Sequence, residues 1–458
     1  MAGGTGGSET VGGTMGDRRQ EIVAASRAAL NLRERALMAL YGGLTRVLPE
    51  WLIVALVKRR ARTHPGEESA ERAGERVARV LPPRPGGRLV WLQSIGPGDS
   101  TANLVLIEAL RAVAPDLHFL VTTRTVDAQG IFRRAAEAGD VTLLLSPHDS
   151  RGAVRRFVGH FRPDLAVFCE SDMWPNTLEV LRRAGVPMAL VNGQFNGRLG
   201  RLIGQMPGIG RWMMAHLGVL HIFSDGGEAE ARRWVGEDCA VMFHPNLKMD
   251  AARLAVKPDV MDAIGAAWGD SPVFFGASVA GNEVGPLIEA HGIAARQIEG
   301  LKLILAPRWK EEGEAFHAVA ADMGHEVPRR SVEGMPEACD AIFIADSYGE
   351  FGVWLERCFA TYMGHTMFGG VGHNPYEPII HERQVVAGAI PAFLATDYRY
   401  LADLGLCHVA DTPEGIAAEM VRLWRASQRG ETGFGDFARA RGFSREIARQ
   451  ITGMSGEA

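Results

Sequence analysis

The residues with the most chemical content stand directly after short apolar runs. Ser94-Ile-Gly-Pro-Gly-Asp99 puts a carboxylate at the tip of a glycine loop, where Asp99 is either the N-cap of the next helix or an acid aimed at a ligand. Glu170-Ser-Asp-Met-Trp-Pro-Asn176 sets Glu170 and Asp172 beside Trp174 and Asn176. Two acids with an indole are hard to attribute to packing, because charges are rarely buried unpaired. Asn192-Gly-Gln-Phe-Asn196 adds amides, and Asn246-Leu-Lys-Met-Asp250 offers the Lys248 ammonium. Later runs end in Ser278, in Pro307 and Arg308, and in Asp346-Ser-Tyr-Gly349-Glu350. Taken singly, Lys248 or Arg308 is a solvated surface cation; together with glycine loops at matching positions, such cations suit an anionic, nucleotide-like ligand.

Gly364-His-Thr-Met-Phe-Gly-Gly-Val-Gly-His-Asn-Pro-Tyr-Glu-Pro378 is the clearest such loop. Glycines at 364, 369, 370 and 372 allow positive φ and close backbone approach. Asn374 and Pro375 read as N-cap and first residue of a helix over 374–381, whose free N–H groups would face a phosphate. Glu377, three residues past the cap, either closes a capping box or reaches a ribose diol. An ordinary strand-to-helix turn is the plain alternative.

These positions require a scaffold of short strands alternating with helices. The apolar runs predict strands at 88–93, 118–123, 141–145, 165–170, 187–191, 219–223 and 240–243. After a pause near 246–250 they continue at 272–276, 301–306, 341–345, 360–363 and 384–387. The intervening amphipathic stretches include 100–112, 152–161, 174–183 and 199–215, and helices at 413–426 and 437–452 close the chain. This is an α/β pattern of two similar halves, each a parallel sheet covered on both faces, with ligands expected beyond the carboxyl ends of strands. At 458 residues the chain exceeds one usual hydrophobic core. The divisions read as a polar, disordered tail over 1–35, an apolar and basic segment over 36–62, and domains over 63–250 and 251–458.

A formal net charge of −5 argues against a nucleic-acid partner. The five cysteines at 169, 239, 339, 358 and 407 show no CxxC or metal spacing, which suits a reducing compartment. The stretch 36–57 is apolar but interrupted by Arg46, Pro49 and Glu50, and Lys58, Arg59, Arg60 and Arg62 follow it. It reads either as a segment lying in the interface of an anionic membrane or as a helix pair buried on the main body.

Taken in order, ESDMWPN (170–176), NLKMD (246–250), APR (306–308), DSYGE (346–350) and GHNPYEP (372–378) resemble the 3-deoxy-D-manno-octulosonic acid (Kdo) transferases. The resemblance covers roughly residues 36 to 425. It implies an inverting GT-B glycosyltransferase with two Rossmann-like domains facing a central cleft and an N-terminal membrane-associated helical segment. It further implies CMP-Kdo as donor, no metal or other cofactor, and a lipid A precursor of lipid IVA type as acceptor. The setting would be lipopolysaccharide core synthesis at the cytoplasmic face of the bacterial inner membrane. By resemblance Asp99, where the family usually has Glu, is the general base. Glu170, Asp172, Trp174, Asn176 and Asn192 would hold the acceptor or sugar. Lys248, Ser278, Pro307, Arg308, Gly349, Glu350, Gly372, His373, Asn374 and Glu377 would hold the donor, with Glu377 on the ribose. The family's Ser-Thr-His-Pro-Gly-Glu-Glu is here Ser278-Val-Ala-Gly-Asn-Glu283, its Pro-Arg-His-Pro-Glu-Arg is Pro307-Arg-Trp-Lys-Glu-Glu312, and Pro245 replaces a glycine. These departures leave open a related ulosonic-acid transferase acting on another glycolipid, or a non-catalytic CMP-binding paralogue. A nucleotide-sugar epimerase of the same two-lobed fold is disfavoured by the apolar start.

Overall fold

The computed structural model describes residues 15–194, 198–223, 227–370 and 372–454. The chain divides into two compact units, Met1–Asp250 with Gly442–Ala458, and Ala251–Arg441. In the first unit the apolar runs become β1 (Arg88–Ser94), β2 (Leu117–Thr123), β3 (Val141–Leu145), β4 (Leu165–Cys169), β5 (Met188–Gly193), β6 (Val219–Ile222) and β7 (Ala240–Phe243). They form one parallel sheet in the order β3-β2-β1-β4-β5-β6-β7. The second unit holds β8 (Val273–Val279), β9 (Lys302–Pro307), β10 (Ile342–Ile344), β11 (Ala360–Met363), β12 (Gln384–Ala387) and β13 (Cys407–Val409). Its parallel order is β10-β9-β8-β11-β12-β13. The direction of winding reverses between β1 and β4 in one sheet and between β8 and β11 in the other. At such a reversal the connections leave on opposite faces and open a crevice beyond the strand ends.

The structure departs from the expected division at both ends of the chain. The tail expected over 1–35 falls outside the described residues up to 14, but α1 (Met15–Ala28) is helical, buries Val23 and pairs Arg19 with Asp238. Its polar composition concealed a single narrow apolar stripe. The second domain was expected to run to 458. Instead the 437–452 stretch breaks into Gly435–Ala440 and Ser444–Gly453, and the latter packs on the Pro97–Val113 helix of the first unit. Asp250 caps that last helix, accepting the N–H groups of Gly442 at 2.7 Å and Ser444 at 2.8 Å. The stretch 199–215 also breaks in two, at Pro207, which cannot continue an upstream helix.

The apolar segment expected over 36–62 folds as α2 (Leu32–Val47) and α3 (Glu50–Thr63), bent by 88° at Leu48-Pro49. Among the described residues no single helix is long and apolar enough to cross a membrane; only together does this bent pair reach that length and composition. One face of the pair is anchored. Glu34 closes a capping box with Asn31 and also accepts the Gly208 N–H at 2.7 Å, so one carboxylate caps two helices. Glu50 pairs with Arg79 and Arg156. The other face leaves Leu40, Leu44, Val47 and Trp51 exposed, Trp51 at 71%. Asp149 completes the anchorage. It accepts the Tyr41 hydroxyl at 2.6 Å, the Asn176 N–H at 3.0 Å, and both the N–H and hydroxyl of Thr177. Burial raises its carboxyl, and the Thr177 and Tyr41 hydrogen bonds oppose the rise. Asp149→Ala strands several buried donors, and the expected loss is about 2–4 kcal/mol, checked by urea unfolding of both proteins.

Candidate functional site

The Pro97–Val113 helix starts at the β1/β4 reversal, with Gly96 as N-cap and Pro97 at its first position. Asp99 is therefore not the N-cap. It lies in the first turn and reaches back to accept the Ile95 N–H at 3.3 Å. The side chain is 9% exposed. Its carboxyl is held well above the usual carboxylate range, first by burial and then by the charge and hydrogen bond of Glu170, while Lys248 pulls the other way. Glu170 follows β4 in the left-handed region at φ +58°, and Lys248 Nζ stands 3.7 Å from its Oε1.

Lys248 is 7% exposed and owes its position to a relay of buried polar groups. It sits in the turn Leu247–Asp250, where Asn192 Oδ1 accepts the Leu247 N–H and Asn246 Oδ1 accepts the Lys248 N–H, each at 3.0 Å. Asn192, at φ +56°, donates its own N–H to His221 Nδ1 at 3.1 Å. Burial, and then His244, push the His221 imidazole down to about 3, so it stays neutral and keeps that acceptor. Asn192 thus supports the lysine turn. Asp172 and Asn176 are likewise engaged inward. Asp172 holds Gln93 at 3.0 Å and the Trp174 indole N–H at 2.8 Å, and Arg124 lies 5.4 Å over the Trp174 ring. Asn176 donates to Thr45 Oγ1 and to the Asp149 carbonyl. Beside these strand ends is a cavity of about 510 Å³, lined by Leu37, Leu40 and Leu44 of α2 with Trp174, Ile209 and Met213.

In the second unit the β8/β11 reversal is organised by Glu283, a residue that sequence reading passed over. Its carboxylate accepts five hydrogen bonds: N–H groups of Ala280, His365, Thr366 and Met367 at 2.7–2.9 Å, and the Tyr362 hydroxyl at 3.1 Å. The glycine loop is thereby latched across the end of β8. Close approach explains its glycines: a Cβ at Gly364 would come 2.2 Å from the Ser278 carbonyl oxygen, and one at Gly370 2.2 Å from that of His365. Ser278 itself is at φ +51°, and its carbonyl lies 2.9 Å from His365 Nδ1. His373 Nε2 is 3.1 Å from the same nitrogen; burial, then Arg308 and His365, push His373 down to about 3.

The helix after this loop is shorter than expected. It spans Tyr376–Ile380 with Pro375 as N-cap, and the Asn374 side chain accepts the Tyr376 N–H at 3.1 Å. Five residues carry little macrodipole, so any anion here meets mainly loop N–H groups. Glu377 is half-buried in the first turn. Pro307 ends β9 half-buried, and Arg308 is exposed, stacked 5.2 Å over Trp309. Gly349 takes φ +76°, Gly372 φ +66°. Glu350 accepts Arg330 Nη2 at 2.8 Å and Nε at 3.0 Å; burial works against its charge, but Arg330 and Ser347 outweigh it and lower the carboxyl. Glu283 had no signal in the sequence, since Ala280 has no side-chain acceptor to close a capping box with it, whereas Asp149 stood out as an acid soon after β3.

Two parallel sheets whose reversals gather these groups have close structural parallels. The chain resembles the UDP-GlcNAc 2-epimerase of Neisseria meningitidis, with TM-score 0.54 and 8% identity over 80% of this chain and 100% of that one. It resembles MurG of Acinetobacter baumannii with TM-score 0.50 and 13% identity, again over 80% and 100%. The fold is that of the GT-B glycosyltransferases. Residues 70–251 match the 3-deoxy-D-manno-octulosonic-acid transferase (kdotransferase) family. The 3-deoxy-D-manno-octulosonic acid transferase of Bordetella pertussis is 28% identical over 386 residues, covering 79% of this chain and 88% of the relative. The chain thus carries a domain that matches this family, curated Kdo transferases are similar to it over most of its length, and it is a glycosyltransferase.

Two outcomes follow from the geometry. Glu283→Ala frees the amides of His365, Thr366 and Met367, and their hydrogen exchange is expected to quicken roughly 100-fold, with Glu283→Gln intermediate. His221 has a folded value near 3 against an ordinary 6.5, so the unfolded chain binds the extra proton between those limits. Its contribution is whole above pH 6.5 and is lost on acidification. At pH 5 the loss is about 2 kcal/mol, read as a drop in urea midpoint that His221→Gln flattens.

Proposed function

We propose that this chain transfers Kdo from CMP-Kdo to a lipid A precursor at the cytoplasmic face of the inner membrane, with inversion at the anomeric carbon. One observation carries the reading: in a chain whose residues 70–251 match the Kdo transferase family, the Asp99 carboxyl is raised by burial and then by Glu170, which stands 3.7 Å from Lys248, at the β1/β4 reversal. A carboxyl raised in this way is a better proton acceptor near neutral pH than a solvated one. The acceptor hydroxyl oxygen attacks the anomeric carbon and its proton passes to Asp99. The bond from that carbon to the phosphate oxygen breaks, and CMP leaves with the electron pair. Lys248 offsets the negative charge of the donor's phosphate or carboxylate.

In this reading the second unit holds the nucleotide. Arg308, exposed and beside His373, meets phosphate; Ser278, Pro307, Gly349, Gly372, His373 and Asn374 shape the pocket, and Glu377 takes the ribose diol. Glu350, already held by Arg330, fixes the Gly349 turn. Glu170 and Trp174 face the acceptor, whose acyl chain suits the apolar cavity beside α2. Asp172, Asn176 and Asn192 support these groups from behind. The exposed apolar face of α2 and α3, with Lys58 to Arg62, suits a membrane interface. Positive charge comes from Lys248 and Arg308, and the reading asks for no metal.

The test is transfer from freshly generated CMP-Kdo to a tetra-acylated lipid A precursor, read by mass spectrometry. A mass increment of one or more Kdo units is expected; CMP binding without product would sink the reading. Asp99→Asn is expected to lower kcat by about 10²–10⁴-fold with CMP affinity unchanged, and Asp99→Glu to restore part of the rate. An unaltered rate in Asp99→Asn would remove the base assignment.

A further inference from the structure

The chain as a whole is acidic, with net charge −5, yet one groove of the first unit gathers arginines. It has a volume of about 980 Å³ and is walled by the Arg151–Phe161 and Pro175–Arg183 helices and by residues of α1 and α2. Arg27, Arg88, Arg151, Arg155, Arg162 and Arg183 line it, against two carboxylates, Asp164 and Glu179. Six positive minus two negative charges leave a surplus of four. Both acids are already engaged. Glu179 accepts Arg182 at 3.1 Å and Arg183 at 2.7 Å, and lies 3.9 Å from Arg27. Asp164 accepts the Leu89 N–H at 2.7 Å and Arg84 at 3.4 Å. Arg151, Arg155 and Arg162 carry no ion pair among the described residues. Guanidinium forks without carboxylate partners match phosphate oxygens in geometry as well as charge.

The surroundings of the groove indicate where the phosphates come from. Met38, Tyr41 and Pro175 line both this groove and the apolar cavity. α2, which supplies Met38 and Tyr41, turns Leu40 and Leu44 outward at 58% exposure each and Val47 at 73%. An exposed apolar stripe beside an arginine groove has the two-part character of a bilayer surface, acyl chains next to anionic headgroups. Arg88, Asp164 and Pro187 stand at the amino ends of β1, β4 and β5, the opposite end of the strands from Asp99 and Glu170.

We propose that this groove binds the phosphates of anionic phospholipid headgroups, seating the first unit on a lipid surface through Arg151, Arg155 and Arg162 while α2 presents its apolar side chains to the acyl region. The inference rests on the membrane part of the reading above and not on the transfer. It is tested with the full chain by flotation with phosphatidylglycerol/phosphatidylethanolamine vesicles against phosphatidylcholine vesicles, with no donor present. The double variant Arg151→Glu, Arg155→Glu is expected to lose about 100-fold in affinity for the anionic vesicles, to lose its salt sensitivity, and to bind phosphatidylcholine as before. Arg151→Gln, Arg155→Gln, a gentler change should the first variant fold poorly, is expected to lose about tenfold. Unchanged affinity for anionic vesicles in the glutamine variant overturns the proposal. So does pyrophosphate binding that the variant abolishes while vesicle binding persists, which would assign the groove to a free anion. A raised acceptor KM in detergent with vesicle binding intact overturns it too, assigning the groove to the acceptor's own phosphates. Because flotation uses no donor, failure of Kdo transfer leaves this result standing, and the reverse holds.

Discussion

Taking Asp99 out of water is the constraint on which the first unit's site depends. A carboxylate withdrawn from solvent beside a second one must protonate or find positive charge. The chain supplies Lys248, but an ammonium 7% exposed is costly in its turn and must be held in place. That task passes to the Leu247–Asp250 turn, from the turn to Asn192, and from Asn192 to a neutral His221. Each link is a buried polar group hydrogen-bonded to the next. Burial and Glu170 raise the Asp99 carboxyl, and the lysine that this relay holds in place limits the rise.

The second unit meets its own β8/β11 reversal by different means. Among the described residues no lysine pairs with Glu283; it is surrounded by four backbone N–H groups and a hydroxyl, which solvate the carboxylate as water would. The benefit is order in a loop rich in glycine, whose freedom would otherwise work against a defined pocket. Glycine is needed at 364 and 370 for approach, and the glutamate then removes the mobility that glycine brings. In the first unit burial and a neighbouring acid raise a carboxyl, and in the second a buried carboxylate holds shape.

Much of this was legible in the chain. Apolar runs of four to six residues announced twelve of the thirteen strands, because a strand buried on both faces has no polar alternation to confuse it. Cys407–Val409 escaped because three residues at a sheet edge, one of them histidine, carry too little apolar content. Asp99, Glu170 and Lys248 were visible as polar groups placed just after strands, a position that parallel sheets reserve for ligands. The inward roles of Asp172, Asn176 and Asn192 were not, since a strand-end side chain can turn to ligand or to scaffold and local sequence does not say which. Asp149 and Glu283 were harder still. Tyr41 is 108 residues from Asp149, and the loop amide of His365 is 82 from Glu283. Neither partnership has a local trace. Helix ends erred for a related reason: Asn374 looks like a cap and does accept a backbone N–H, yet the helix begins one residue later than that role requires.

The return of the chain at Gly442 has a consequence for its biosynthesis. The second unit is an insertion within the first, a continuous segment whose ends are tied where Arg441 donates to the Ala251 carbonyl at 2.8 Å. A nascent chain emerges amino end first, so all of the inserted segment leaves the ribosome before Ser444–Gly453 is made. Until then the Pro97–Val113 helix lacks the cover of Ile447, Ala448 and Ile451, and an apolar face of the first unit stays open to solvent. The first unit to begin folding is therefore the last to finish, and the interval, set by translation of nearly two hundred residues, is when this protein most needs a chaperone.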